Sequence, residues 1–165
     1  MTFSGPAWRF AVALVPVLVL SGCFGFRRHS ELECMERAMY FESGRSSRDG
    51  LIAVGSVVMN RVESGKYPRS VCGVVGQKGQ FAPGIMTRRM PPDAGVRKAA
   101  TAVLRGERHP LIGRAMFFHT AGHRFPYDNM HYVLVAGGNA FYEKRDRSAV
   151  TQSVPPRPIE GLTGR

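Results

Sequence analysis

The sequence is short of acids: 12 Asp and Glu stand against 23 Lys and Arg, a formal net charge of +11. A balance this basic favours a polyanionic partner. None of the usual nucleic-acid recognition motifs is present, so nucleic acid is not the polyanion expected here. The chain shows no internal repeat, which excludes solenoid and propeller architectures. It also lacks an apolar run of the roughly 20 residues that a membrane-spanning helix needs. Cysteine is scarce, with three in the whole chain.

What the ends do contain is informative. The run "FAVALVPVLVL", Phe10 to Leu20, follows a short N-terminus whose one charged residue is Arg9, and precedes "SGC" at Ser21 to Cys23. That order is the order of an export signal. "LSGC", Leu20 to Cys23, resembles the bacterial lipobox, which implies removal of residues 1–22 and diacylglyceryl transfer to the Cys23 sulfur. More than one acyl chain on a residue holds it firmly to a membrane. By the same resemblance, Phe24 in place of Asp after the cysteine implies sorting to an outer membrane. The protein is expected to be a membrane-anchored lipoprotein facing the periplasm, with residues 23–32 as a tether. The tail 146–165, with "VPPRPIEGLTGR" and no apolar period, is expected to be disordered.

Export leaves Cys34 and Cys72 in an oxidising compartment, where an even pair is expected to be bonded. The bridge would contribute about 3–4 kcal/mol, useful in a domain bounded by residues 33–145. Cys34 as a nucleophile at a helix start is the weaker reading, because Cys72 supplies a partner. The polyanions of that compartment are peptidoglycan, with its peptide carboxylates, and anionic lipid head groups.

Between the ends, "SELECMERAMYFES" places Leu32, Met35, Ala38 and Met39 at helical spacing, with Ser30 and Glu33 as a capping box. Gly44 supplies the stop. A second, buried helix is expected over Ser47 to Glu63 on the side Leu51, Val54, Val58 and Val62, and a third from about Pro92 to Gly106. "GQKGQFAPG" is a glycine-punctuated loop. "AMFFHT" and "HYVLVAGGNAFY" are short aromatic and β-branched runs that predict strands. Helices first and a small antiparallel sheet after them make the class α+β.

Glu42 falls in the last turn of the first helix, directly after Tyr40 and Phe41. A carboxyl on an aromatic helix side is costly to bury and is kept where a raised pKa is useful. Cleaving a glycosidic bond near neutral pH needs such a protonated acid. "AMYFESGRSSRDGLIAVGSVVMNRV", "YPRSVCGVVGQKGQF" and "GGNAFY" together resemble the SleB-like cell wall hydrolases over about Glu33 to Tyr142. The resemblance implies a lysozyme-like, lytic-transglycosylase-like fold and cleavage of peptidoglycan between N-acetylmuramic acid and N-acetylglucosamine. It also implies that Glu42 is the catalytic acid and that Gln80 and Phe81 belong to the site. Gln80 is suited to hold an N-acetyl group or to orient the acid. Tyr40, His119 and Tyr142 complete the expected substrate-binding set, and Tyr127 and Tyr132 are further rings able to stack on sugar.

The chain departs from the family pattern in two places. Gly44, Arg45 and Ser46 stand where the family carries Arg-Gly-Glu, and Ala140 stands where it carries His. A missing second acid argues against a two-carboxylate hydrolase and leaves a one-acid transglycosylation open, in which the muramic acid's own 6-hydroxyl attacks. The alternatives are a wall-binding lipoprotein without catalysis, and a zinc amidase or peptidase built on "HTAGH", His119 to His123, with His131. No acid sits within that histidine cluster as a general base, so no metal and no cofactor are expected. The protein is expected to act as a monomer. If "LSGC" is a lipobox, Cys23→Ala leaves the precursor uncleaved and without label from radioactive palmitate; labelling of that variant refutes the anchor.

Overall fold

The computed structural model describes residues 1–2, 29–44 and 47–164. The expected leader beyond Thr2, Cys23, and Arg45 and Ser46 lie outside the described residues. Among the described residues four helices come first: α1 (Glu31–Glu42), α2 (Arg48–Glu63), α3 (Val71–Val75) and α4 (Ala94–Leu104). Strands β1 (Phe117–Thr120), β2 (Met130–Ala136) and β3 (Asn139–Lys144) follow and form an antiparallel sheet in the order β1-β3-β2. This is the expected α+β order.

Each helix begins on a side chain that satisfies one of its open N–H groups. Ser30, Ser47, Ser70 and Asp93 accept from Glu33, Gly50, Gly73 and Val96, at 3.0–3.1 Å. The capping box of Ser30 and Glu33 is only half formed. The Glu33 carboxylate goes to His29 Nδ1 at 2.6 Å and to Arg37 at 3.3 Å. His29 Nε2 also donates to Met86 O at 2.7 Å. The folded body therefore reaches back to His29, into the segment expected to be tether. The short helix α3 has no counterpart in the expectations, because five residues show no period.

Helix α2 is buried along most of its length and lies at the centre of the core. Gly55 sets how near the others come: a Cβ there would sit 2.4 Å from Met39 Cε of α1 and 3.1 Å from Val103 Cγ2 of α4. The β2–β3 connection is the glycine pair Gly137-Gly138, with φ of +55° and +77°. That is the geometry of a two-residue hairpin turn matched to sheet twist. The turn seats on the start of α2, where a Cβ on Gly50 would lie 2.5 Å from Gly137 Cα. The expected disulfide is present, and Cys34–Cys72 fastens α1 to α3 across a sequence separation of 38.

The expectation of a disordered tail is not met. Residues after β3 run back over the sheet: Tyr132 N donates to Gln152 O, Ile159 N to Val135 O, and Gly137 N to Glu160 Oε1. Farther on, Leu162 N (2.8 Å) and Thr163 N (2.9 Å) donate to the Asp49 carboxylate, as does the Thr163 hydroxyl. The composition of this tail gives it no core of its own. It is ordered because its backbone donors meet buried acceptors that need them.

Asp49 shares its burial with His109, whose ring is 1% exposed. His109 Nδ1 accepts from Leu111 N, so Nε2 carries the proton, 3.7 Å from Asp49 Oδ2. Burial holds the His109 imidazole below its ordinary value, against the pull of Asp49. Burial alone would raise Asp49, but the bonds from Thr163 and Leu162 and the nearby His109 outweigh it and hold the carboxyl below its usual value. As pH falls, the unfolded chain protonates His109 first, so that stability declines below about pH 6.5. The Asp49 contribution is present above its unfolded value and is lost as pH falls through the folded one. The urea midpoint should therefore fall from about pH 7.5 to about pH 5.5, with a smaller fall in His109→Asn. Asp49→Asn should lose about 2 kcal/mol at pH 7 by releasing the tail.

Candidate active site

Glu42 is the last residue of α1, and the geometry around it comes from three directions. The loop after α3 is held from below by Arg37, whose Nη1 donates to Ile85 O and Arg88 O at 2.9 Å each. That loop presents Ala82 N, which donates to Glu42 Oε1 at 2.5 Å. Asn139, the first residue of β3, donates from Nδ2 to Glu42 O at 2.8 Å and so closes the end of α1. Arg61 comes from the last turn of α2. Its Nε donates to Met116 O at 2.8 Å, and its guanidinium lies between the rings of Tyr67 (5.3 Å) and Phe81 (5.2 Å).

These groups surround a cleft of about 420 Å³ lined by Phe41, Glu42, Arg61, Phe81 and Phe118, with Gly79, Gln80, His119, Thr120, His123 and Asn139 at its polar edges. Glu42 is the only carboxyl among the described residues that line it. Burial pushes the Glu42 carboxyl above its ordinary value, and the Ala82 N–H and the Arg61 cation pull against that without cancelling it. Burial likewise lowers the Arg61 guanidinium, and Arg61 Nη1 is buried without a hydrogen-bond partner among the described residues. With Oε1 occupied as an acceptor, the proton of the neutral acid belongs on Oε2, the oxygen left for a substrate.

The residues expected to bind substrate divide in two. Gln80, Phe81 and His119 are in the cleft with Glu42. Tyr40 is not: it lines a different groove, between α1 and the start of α4, because successive residues near a helix end point to different sides. Tyr142 is also outside the cleft lining. It stacks on Phe117 at 5.5 Å and lies 5.8 Å from His119, in the aromatic layer on the far face of the sheet from Phe141. His119 itself has both ring nitrogens engaged. Nδ1 donates to Thr120 O and Nε2 accepts from Tyr132 Oη, each at 2.9 Å. It offers ring surface to the cleft rather than a free N–H. Ala140, the departure from the family's His, is paired in register with His119.

The histidines do not gather into a ligand set. His131 Nδ1 accepts from Thr151 N in the tail, and no group of three or more His, Cys, Asp or Glu able to hold a metal is found among the described residues.

The family model for cell wall hydrolases matches residues 45–142, more than half of the chain. The chain belongs to the cell wall hydrolase family. The matched stretch starts just past Glu42, so the case for that residue rests on the geometry above. Two solved structures share the hydrolase's fold. One is the catalytic domain of the Bacillus cereus SleB protein, with a TM-score of 0.60 and 23% identity over 71% of this chain and 94% of that one. The other is the catalytic domain of the germination-specific lytic transglycosylase SleB from Bacillus anthracis, with a TM-score of 0.60 and 24% identity over 71% of this chain and 98% of that one. No curated protein matches the hydrolase in sequence.

Arg61, Phe118, Thr120 and Asn139 were not singled out from sequence. For Arg61 a signal existed: it continues the side of α2 marked by Val54 and Val58, where a buried helix calls for an apolar residue. Asn139 gave none, since only the pairing of β3 brings it to α1. Removing the cation should raise the Glu42 titration midpoint further. In Arg61→Gln, NMR titration of the Glu42 side-chain carboxyl is expected to move to higher pH than in the parent; an unchanged midpoint would show that the guanidinium does not act on the acid.

Proposed function

We propose that the hydrolase cleaves the glycan strand of peptidoglycan between N-acetylmuramic acid and N-acetylglucosamine, by lytic transglycosylation with Glu42 as its one acid. The observation that carries this is one desolvated carboxyl in a cleft with no other carboxyl among its described lining residues, with one oxygen held by Ala82 N. Glu42 Oε2–H protonates the glycosidic oxygen as the bond to C1 breaks. The resulting carboxylate then takes the proton of the muramic acid 6-hydroxyl, whose oxygen attacks C1 to close the 1,6-anhydro ring. The internal nucleophile has a high effective molarity, so no second carboxylate is needed to activate water.

Arg61 supports both halves of this cycle. Its pull does not cancel the rise that burial gives the acid, and its charge acts on the carboxylate formed between the two steps. The family membership and the likeness to SleB catalytic domains support peptidoglycan as the substrate. Anchoring through Cys23 to a periplasm-facing membrane belongs to the same reading, because it would hold a basic domain beside an anionic wall.

Digestion of purified sacculi followed by mass spectrometry tests the reaction: anhydro-muramic ends are expected, and reducing ends would mean hydrolysis instead. In Glu42→Gln, the amide keeps an acceptor for Ala82 N but has no proton to give. Sacculus binding should persist while cleavage falls by about 10²–10⁴-fold or more. The fold should not suffer. A carboxyl whose folded pKa exceeds its unfolded one loses stability as pH rises past the unfolded value, and the neutral amide removes that loss. A fully active but less stable Glu42→Gln protein would overturn the assignment.

A further inference from the structure

The loop between β1 and β2 carries a feature that the chemistry at Glu42 does not use. Among the exposed large apolar side chains described, only Phe125 and Tyr127 are aromatic, at 44% and 65% exposure. Their rings are stacked on each other, 5.9 Å apart and 11° from parallel. Phe125 in turn sets its ring edge-to-face against His119, at 4.9 Å and 72°. His119 is the residue that lines the cleft and is fixed at both nitrogens, by Thr120 O and Tyr132 Oη. His123, in the same loop, lines the cleft as well.

An exposed aromatic pair is out of keeping with a free surface, where single apolar residues scatter and contiguous ones mark a binding site. This pair is also held in place. A rigid chain of contacts runs from the fixed imidazole to Phe125 and on to Tyr127, so little side-chain freedom remains to be lost when a ligand arrives. The cleft of about 420 Å³ is at the low end for small-molecule sites, and its lining beyond the Phe rings is largely polar. A polymer threaded past Glu42 must continue over the rim. On the His119 side, the surface it meets is this ring pair.

We infer that Phe125 and Tyr127 form a sugar-stacking platform that binds a residue of the glycan strand outside the cleft, next to the site of cleavage. The ligand class is a β-1,4-linked chain of N-acetylated hexosamines. Its pyranose rings carry C–H groups on their faces and polar groups on their rims, which suits the exposed face of Tyr127 and leaves the Tyr127 hydroxyl to hydrogen-bond at the edge. The platform explains why the rings sit in the open beside a cleft that already holds the acid. The inference rests on the reading of the protein as a glycan-cleaving enzyme.

The test uses the full chain carrying Glu42→Gln, so that binding is measured without turnover, with purified sacculi as the probe in a sedimentation assay. Adding Tyr127→Ala should weaken binding by about tenfold, and Phe125→Ala together with it by more, while Tyr127→Phe should retain most of the affinity. Both positions are exposed, so thermal unfolding of the variants should match the parent. Equal binding by parent and Tyr127→Ala overturns the platform and leaves the Glu42 assignment standing. Loss of binding in Tyr127→Phe equal to that in Tyr127→Ala also overturns it, since stacking would then not be the cause. If the Glu42→Gln parent does not bind sacculi at all, the glycan-cleaving reading fails and the platform with it.

Discussion

A carboxyl taken out of water at the C-terminal end of a helix meets two penalties at once, the loss of its hydration and the partial negative charge of the helix end. Glu42 sits at that place in α1, and the surrounding structure reads as the means of holding it there. Asn139 satisfies the carbonyl that the helix leaves open, and the Ser43 hydroxyl bonds Met39 O. Ala82 N satisfies one carboxyl oxygen. Arg61 offsets part of the charge cost without reaching the carboxyl as a close ion pair, so burial still holds the carboxyl above its ordinary value. A direct ion pair would have stabilised the carboxylate and lowered that value instead.

The three supports come from α2, from the loop after α3 and from β3, so each must be fixed relative to α1. The disulfide ties α3 to α1, and Arg37 ties the loop beyond it. The hairpin that carries Asn139 is pressed onto α2 at Gly50 and Gly137. The tail then crosses both partners of that contact, bonding Gly137 through Glu160 and the start of α2 through Asp49. The tail lies beyond the stretch that matches the family, residues 45–142. It straps the back of the hairpin to the start of α2.

The lining of the cleft also divides by charge. Among the described residues its one acid stands with a fixed guanidinium and polar groups, while the chain as a whole is strongly basic. Long-range attraction of polyanions and the local electrostatics of one carboxyl are thus separated. The first depends on exposed Lys and Arg and is screened by salt; the second depends on buried groups and is not.

Local features of this chain were legible because their causes are local. The period of α1 and α2, the serine caps, the glycine stop after Glu42 and the alternating aromatic strands each follow from neighbours within a few residues. Glu42 stood out for the same reason, as an acid beside two rings. The cysteine pairing followed from there being two cysteines left once Cys23 is set aside for the expected lipid anchor. What the sequence could not determine is which distant groups meet. Tyr40 and Phe41 are adjacent in the chain, yet only Phe41 enters the cleft, because α1 turns Tyr40 toward α4. Arg61, Asn139 and Ala82 reach Glu42 only once α2, β3 and the loop have packed. The tail, unable to order itself, is ordered by buried acceptors more than a hundred positions away. The sequence by itself determined the elements and singled out Glu42; tertiary packing decided the surroundings that raise its carboxyl, since burial and a cation drawn from elsewhere in the chain are properties of no single segment.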